Sequence, residues 1–409
     1  MGAFRMPWPM PHRRIHSRGE ELLRANLLAE AEDAFILEAA ARLRDARPLV
    51  ASGHLALMRN DLPLAEERLS EAVARDRRDS HANELLAEVS YRRSDFAAAA
   101  IHQAAAGNRP VADKLRFFGG RRPYAIEGPE FASLPFVRTD PLPILTGRVN
   151  GGPAASFLLD TGGAELILEA GFAGEAGIPI FGGQRSYFGG GRTARIRHGA
   201  ADSLALGDMT VSDLPVHVLD LPGIGASIGV PELAGIIGTS LLYRFLATID
   251  YPAESLVLRR RGAPAAPATG AIEVPLLMAD DHFLLAEGRL NDGPPTLFLV
   301  DSGLAGGAFA CPASTLKAAG IERGSTQIVK GRGGGGAMSA WPFEVDALSL
   351  GEARREHLQG IAGAFPPQLE WAYGFRIGGL ISHGFLQAYA VTLDFDRMVI
   401  GLDPDPGPA

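Results

Sequence analysis

The chain has 409 residues, 46% of them hydrophobic and 21% charged, a composition that excludes disorder along the whole length. Lys and Arg number 39 against 47 Asp and Glu, and the formal net charge of −8 argues against a nucleic-acid-binding surface. The single cysteine, Cys311, excludes an internal disulfide framework and any multi-cysteine zinc or iron–sulfur site.

Residues 1–18 read as a basic tail. No apolar run of signal-peptide length follows, and no segment reaches the roughly 18 apolar residues of a membrane span, so a cytoplasmic chain without membrane contact is expected. A true start further upstream would allow a periplasmic or secreted protein instead. Residues 19–107 are rich in Ala, Leu, Glu and Arg, with the apolar spacing of three and four that marks amphipathic helices. A repeat of 34 residues runs through them. Asp61-Leu62-Pro63-Leu64-Ala65 returns as Asp95-Phe96-Ala97-Ala98-Ala99, and Gly53, Ala65 and Ala72 return as Ala87, Ala99 and Ala106. Small residues at these points let paired helices approach closely, and the period resembles tetratricopeptide repeats, here two with a degenerate third. Such a module implies a concave surface for a protein partner or for presenting substrate.

A Pro/Gly-rich connector covers 108–133, and then the texture changes. Short β-branched and aromatic runs alternate with Gly, Pro, Asn and Asp, which predicts a largely β structure. Residues 261–270 lack periodicity and read as a linker between two halves, 134–260 and 271–404. The halves are copies. GRVNGGPAASFLLDTG at 147–162 and GRLNDGPPTLFLVDSG at 288–303 share nine of sixteen residues at an offset of 141. Unrelated stretches of average composition would share about one. Further on the offset is 144, as in Leu204-Ala-Leu-Gly207 with Leu348-Ser-Leu-Gly351 and Ala247-Thr-Ile-Asp250 with Val391-Thr-Leu-Asp394.

Each half presents an apolar triplet followed by Asp, a hydroxyl residue and Gly: Asp160-Thr161-Gly162 and Asp301-Ser302-Gly303. One such triplet fits an ordinary strand-ending turn; two at the same place in duplicated lobes predict a site at the seam. Two carboxyls about 3 Å apart share a proton, so the charged member can take a proton from water while the protonated one donates to a carbonyl oxygen. Thr161 and Ser302 offer hydroxyls to fix the turns, and Gly162 and Gly303 permit close backbone approach.

Each of these motifs is followed some 75 residues later by an apolar-apolar-Gly-like element, Ile236-Ile237-Gly238 and Leu380-Ile381-Ser382. This pairing, with the phrase Leu204 to Val216, resembles aspartic proteases of the retropepsin and pepsin kind in a single-chain, two-lobed form, over roughly 134–404. The resemblance implies a mainly β fold of two β-barrel lobes after the all-α module. It also implies an aspartic-type endopeptidase with Asp160 and Asp301 catalytic and Thr161, Gly162, Ser302 and Gly303 in support. Gly-rich hairpins at Gly189, Gly190, Gly191 and at Gly333, Gly334, Gly335 stand where such a family carries its flaps; the plain alternative is a pair of surface hairpins. A peptide or protein substrate, no cofactor, no nucleic acid and a monomer with pseudo-two-fold lobes are expected. Ser382 departs from the pattern by standing where lobe 1 has Gly238, with His383 beside it.

Other constellations are weak. His282 follows Asp280-Asp281 without metal-ligand spacing, so no metal site is expected. Serine lacks a Gly-x-Ser-x-Gly setting, and Cys311 has no partner motif. The competing functions are a peptide-binding protein that grips without cutting, and a scaffold acting through the helical module. The presence of both acids favours catalysis.

Overall fold

The computed structural model describes residues 17–188, 192–221, 223–262, 271–321, 328–333 and 336–404. Residues 1–16 of the tail, 263–270 of the linker, and Gly189, Gly190, Gly191, Gly334 and Gly335 lie outside them.

Seven helices come first: α1 (Arg18–Arg24), α2 (Leu28–Ala41), α3 (Arg47–Met58), α4 (Leu62–Arg75), α5 (Ser80–Arg92), α6 (Phe96–Ala105) and α7 (Arg109–Arg116). The repeat is visible in their ends and seams. Asp61 and Asp95, one period apart, cap α4 and α6 by accepting from the backbone N–H of Leu64 and Ala98. Ala65, Ala72 and Ala99 are wholly buried, and a Cβ on Gly53 would lie 2.7 Å from Leu69 Cγ, so α3 and α4 meet too closely for a side chain there. None of the helices is long and apolar enough to cross a membrane, among the described residues.

The rest is mainly β. Lobe 1 carries β1 (Ala125–Glu127), β2 (Phe131–Pro135), β3 (Ile144–Val149), β4 (Ala155–Leu159), β5 (Leu166–Glu169), β6 (Ile180–Phe188), β7 (Arg192–Leu206), β8 (Met209–Leu219), β9 (Leu233–Ile237), β10 (Phe245–Asp250) and β11 (Ser255–Arg260). Lobe 2 carries β12 (Ile272–Ala279), β13 (Phe283–Leu290), β14 (Thr296–Asp301), β15 (Phe309–Cys311), β16 (Val329–Gly333), β17 (Gly336–Leu350), β18 (Ala353–Ala362), β19 (Ile377–Ser382), β20 (Tyr389–Asp394) and β21 (Val399–Pro404).

The order β8-β5-β9-β4-β3-β7, with β7 pairing back onto β8, closes a six-stranded barrel in lobe 1. The order β18-β15-β19-β14-β13-β17, with β17 on both β13 and β18, closes its copy in lobe 2. Closure leaves no open edge around either core. In each barrel the strand leading into the Asp lies parallel to the strand of the apolar-apolar element: β4 beside β9 and β14 beside β19. Such strands, buried on both sides, must be continuously apolar, and Phe157-Leu158-Leu159 and Phe298-Leu299-Val300 are. Six further strands form one shared sheet, β12-β21-β20-β10-β11-β2, while β1, β6 and β16 flank the barrels on β8, β7 and β17. At its middle β10 pairs with β20, and Thr248 and Thr392, 144 apart in sequence, join hydroxyls at 2.9 Å.

The helical module is packed into both lobes. Leu23, Phe35, Leu55 and Met58 share a core with Phe283, Phe375 and Ile377 of lobe 2. Phe96, Leu115 and Phe118 join the core of lobe 1. Polar ties run beside these cores. Arg92 donates to the Asp280 carbonyl at 2.7 Å, Asn60 to the Phe395 carbonyl at 3.0 Å, and Arg244 to the Arg92 carbonyl at 2.9 Å. Helices α3, α5 and α7 thus face the β lobes, where the sequence suggests a surface open to partners.

Candidate active site

The Asp turns hang from the ends of β4 and β14, so the pseudo-two-fold relation of the lobes brings Asp160 and Asp301 together at the seam. Both are almost completely buried, at 3% and 2% exposure. Each carboxylate accepts the N–H of the glycine two residues on, Gly162 and Gly303, at 2.8 Å. Each glycine also lies against the opposite aspartate. A Cβ on Gly162 would collide with the Asp301 carboxylate, and one on Gly303 with that of Asp160.

The hydroxyls of Thr161 and Ser302 lock the turns together. Thr161 Oγ1 donates to the Val300 carbonyl and accepts from Ser302 N–H, both at 3.0 Å. Ser302 Oγ donates to the Leu159 carbonyl at 3.1 Å and accepts from Thr161 N–H at 3.0 Å. Each buried hydroxyl is thereby satisfied as donor and acceptor, and each bond crosses between lobes.

The two carboxyls interact directly and titrate as a pair. Burial and the charge of Asp160 push Asp301 up. Burial opposes charge on Asp160 too, whereas the hydrogen bonds from Asp301 and the Gly162 N–H favour its charged form.

Support beneath the turns differs between lobes. In lobe 1 the backbone of Gly238 runs so close that a Cβ would meet the carbonyl oxygens of Gly163 and Glu165 at 2.6 and 2.7 Å. Thr239 then donates to the Thr161 carbonyl at 2.7 Å. In lobe 2 Ser382 occupies the corresponding place, and its hydroxyl donates to the Asp301 carbonyl at 2.5 Å and accepts from Leu304 N–H at 3.1 Å. The departure noted in sequence is therefore filled by a bonded hydroxyl. Next to it the buried ring of His383 meets Tyr251 edge-on with centroids 5.3 Å apart, and burial pushes the His383 imidazole down.

Sequence reasoning did not find Thr239 or the buried ion pair behind lobe 1. Lys114 of α7 reaches Glu165, five residues past Asp160, with Nζ 2.7 and 2.6 Å from its two oxygens, and Tyr91 donates to the same carboxylate at 2.9 Å. The signal was Lys114 itself, one of three lysines in an arginine-rich chain, set in an otherwise amphipathic helix.

A cavity of about 540 Å³ opens over Asp160 and Gly303. Its walls are apolar: Leu142, Leu158, Ile167 and Ile236 from lobe 1, Leu304 and Ile361 from lobe 2. Phe188 at the end of β6 and Val329, Lys330 and Met338 of the β16–β17 hairpin also line it, so both Gly-rich hairpins border the cleft. Gly331, Gly333 and Gly336 of the second hairpin lie within the described residues, whereas Gly189, Gly190, Gly191, Gly334 and Gly335 do not.

Residues 145–241 and 286–369 both match the model of the aspartyl protease family, once in each lobe. Both lobes are thus similar in sequence to aspartyl proteases. Among solved structures it is similar to a retropepsin-like aspartic protease from Rickettsia conorii, at 19% identity and a TM-score of 0.23, over 34% of this chain and 94% of the other. No curated protein matches it. The aspartyl protease matches begin at β3 and β13, so the helical module lies outside both.

Proposed function

We propose that this chain is an endopeptidase in which Asp160 and Asp301 activate one water between them. The observation that carries the reading is the meeting of two buried carboxyls in turns cross-bonded by Thr161 and Ser302. Asp160, the charged member, takes a proton from the water as its oxygen attacks the peptide carbonyl carbon. Asp301, the protonated member, donates to the carbonyl oxygen, giving a neutral gem-diol. The C–N bond then breaks as the nitrogen takes a proton from the dyad and a diol hydroxyl returns one, leaving a carboxylic acid, an amine and a singly protonated pair. The hairpins β6–β7 and β16–β17 act as lids that cover the cleft and exclude water.

The test is cleavage of a diverse peptide library by the full chain from about pH 4 to 8, beside Asp160→Asn and Asp301→Asn. Cuts made by the wild type and lost in both variants are expected. Equal behaviour of all three proteins would overturn the assignment.

A further inference from the structure

A second cavity, of about 180 Å³, lies away from the cleft where α5 and α7 meet both lobes. Its wall includes Glu88 of α5, Glu165, His198 and His217 of lobe 1, and the Asp280–Asp281 turn of lobe 2. The charges there do not balance. Lys114 is engaged by Glu165 at 2.6 Å and Arg92 by Glu88 at 2.7 Å, whereas Asp280 receives a neutral hydrogen bond from Tyr373 at 2.7 Å. Burial and the neighbouring acids push Asp280 up to about 8, and burial with the charge of Asp281 pushes Glu88 up to about 7. Among the described residues Asp280 is thus left without a cation partner, whereas Glu88 and Asp281 are paired with Arg92 and His282.

His198 is an independent sign of a ligand. It is 1% exposed, lines this cavity, and neither ring nitrogen has a hydrogen-bond partner among the described residues; the same holds for Nδ1 of His217. Buried polar atoms are normally satisfied by protein, water or ligand. No group of three or more His, Cys, Asp or Glu among the described residues is disposed to hold a metal ion. The space also exceeds what one bare ion fills.

We propose that this seam cavity binds a small organic ammonium ion, which donates to the Asp280 and Glu88 carboxylates and to an imidazole nitrogen of His198. Because the helical module and both lobes contribute to the wall, the bound cation fastens three parts of the chain and stabilises their association.

Putrescine added to the full chain is the probe, read by titration calorimetry and thermal unfolding. One site per chain and a rise in Tm of about 3–5 °C at saturation are expected. Asp280→Asn should weaken binding about tenfold or more, since it removes a charged acceptor. Asp160→Asn should leave the affinity unchanged, which separates this site from the cleft and its fate from that of the proteolysis proposal. If Asp280→Asn does not fold, as judged by circular dichroism, Glu88→Gln, the second carboxylate of the site, is read for the same loss. No heat and no Tm rise with wild type, or undiminished binding in the folded variant, would overturn the proposal. An equal, variant-sensitive shift with magnesium chloride would do so too, by assigning the cavity to a metal ion.

Discussion

The two lobes carry the same Asp turn on the same six-stranded barrel, yet they support it by different means. Lobe 1 brings a bare glycine, Gly238, against the turn and takes its hydroxyl from Thr239 one residue on, while Ser382 in lobe 2 fills the glycine's place and supplies the hydroxyl itself. Lobe 1 adds the buried Lys114–Glu165 pair, which ties its turn to the helical module. From Gly303 to Phe309 lobe 2 has no charged side chain at all. The grip between Thr161 and Ser302 stays symmetric because both carboxyls must be held alike at the seam, and the layers behind are free to diverge. A duplicated site is constrained where its copies touch, and one layer back only by the need to satisfy buried polar groups.

Four experiments press on that comparison. The largest effect is expected at the symmetric layer, where Asp160→Asn and Asp301→Asn should each lower kcat/KM by about 10²–10⁴-fold or more in a peptide assay. Activity should also fall as pH rises through the raised titration of Asp301, since the dyad then loses the proton it donates. Removing the support peculiar to lobe 1 comes next. Lys114→Met leaves the Glu165 carboxylate buried without its lysine counter-charge and should cost about 3–5 kcal/mol in urea unfolding, and a second change, Glu165→Leu, should restore most of it. A single variant as stable as wild type would show that the pair does not hold lobe 1.

Exchanging the underlying residue gives a smaller, asymmetric result. Gly238→Ser should cost about 1–3 kcal/mol, because the added Cβ meets three carbonyl oxygens. Ser382→Gly should cost about 1–2 kcal/mol through the lost hydrogen bonds to Asp301 and Leu304. Equal tolerance of both exchanges would mean that the lobes are interchangeable here.

The smallest effect at neutral pH concerns His198, which burial and then the charge of Lys114 push down to about 2. Its unfolded form titrates near 6.5, so below that pH the unfolded chain binds the extra proton and folding is opposed. Thermal scans of His198→Gln should therefore gain on wild type as pH falls below about 6.5, by up to about 1.4 kcal/mol per pH unit. A gap that does not change with pH would place the imidazole in a wetter setting than the fold describes.

Much of this molecule was legible in its sequence. The duplicated Asp-[Ser/Thr]-Gly motifs at a fixed offset announced two equivalent lobes and a shared site, and the 34-residue repeat announced paired helices, in which Asp61 and Asp95 prove to be equivalent caps. These signals are local, since a cap, a buried strand and a tight turn each draw on a few consecutive residues. Long-range pairing leaves no such trace. Nothing near Lys114 points to Glu165, and nothing near Thr239 points to the Thr161 carbonyl 78 residues away. The helical module shows the same limit. Its periodicity determined that the helices form and pair, because apolar spacing and small residues act within one hairpin. Which way the module faces was decided only in three dimensions, where burying Phe35, Leu55 and Phe96 against the lobes outweighs leaving them to solvent.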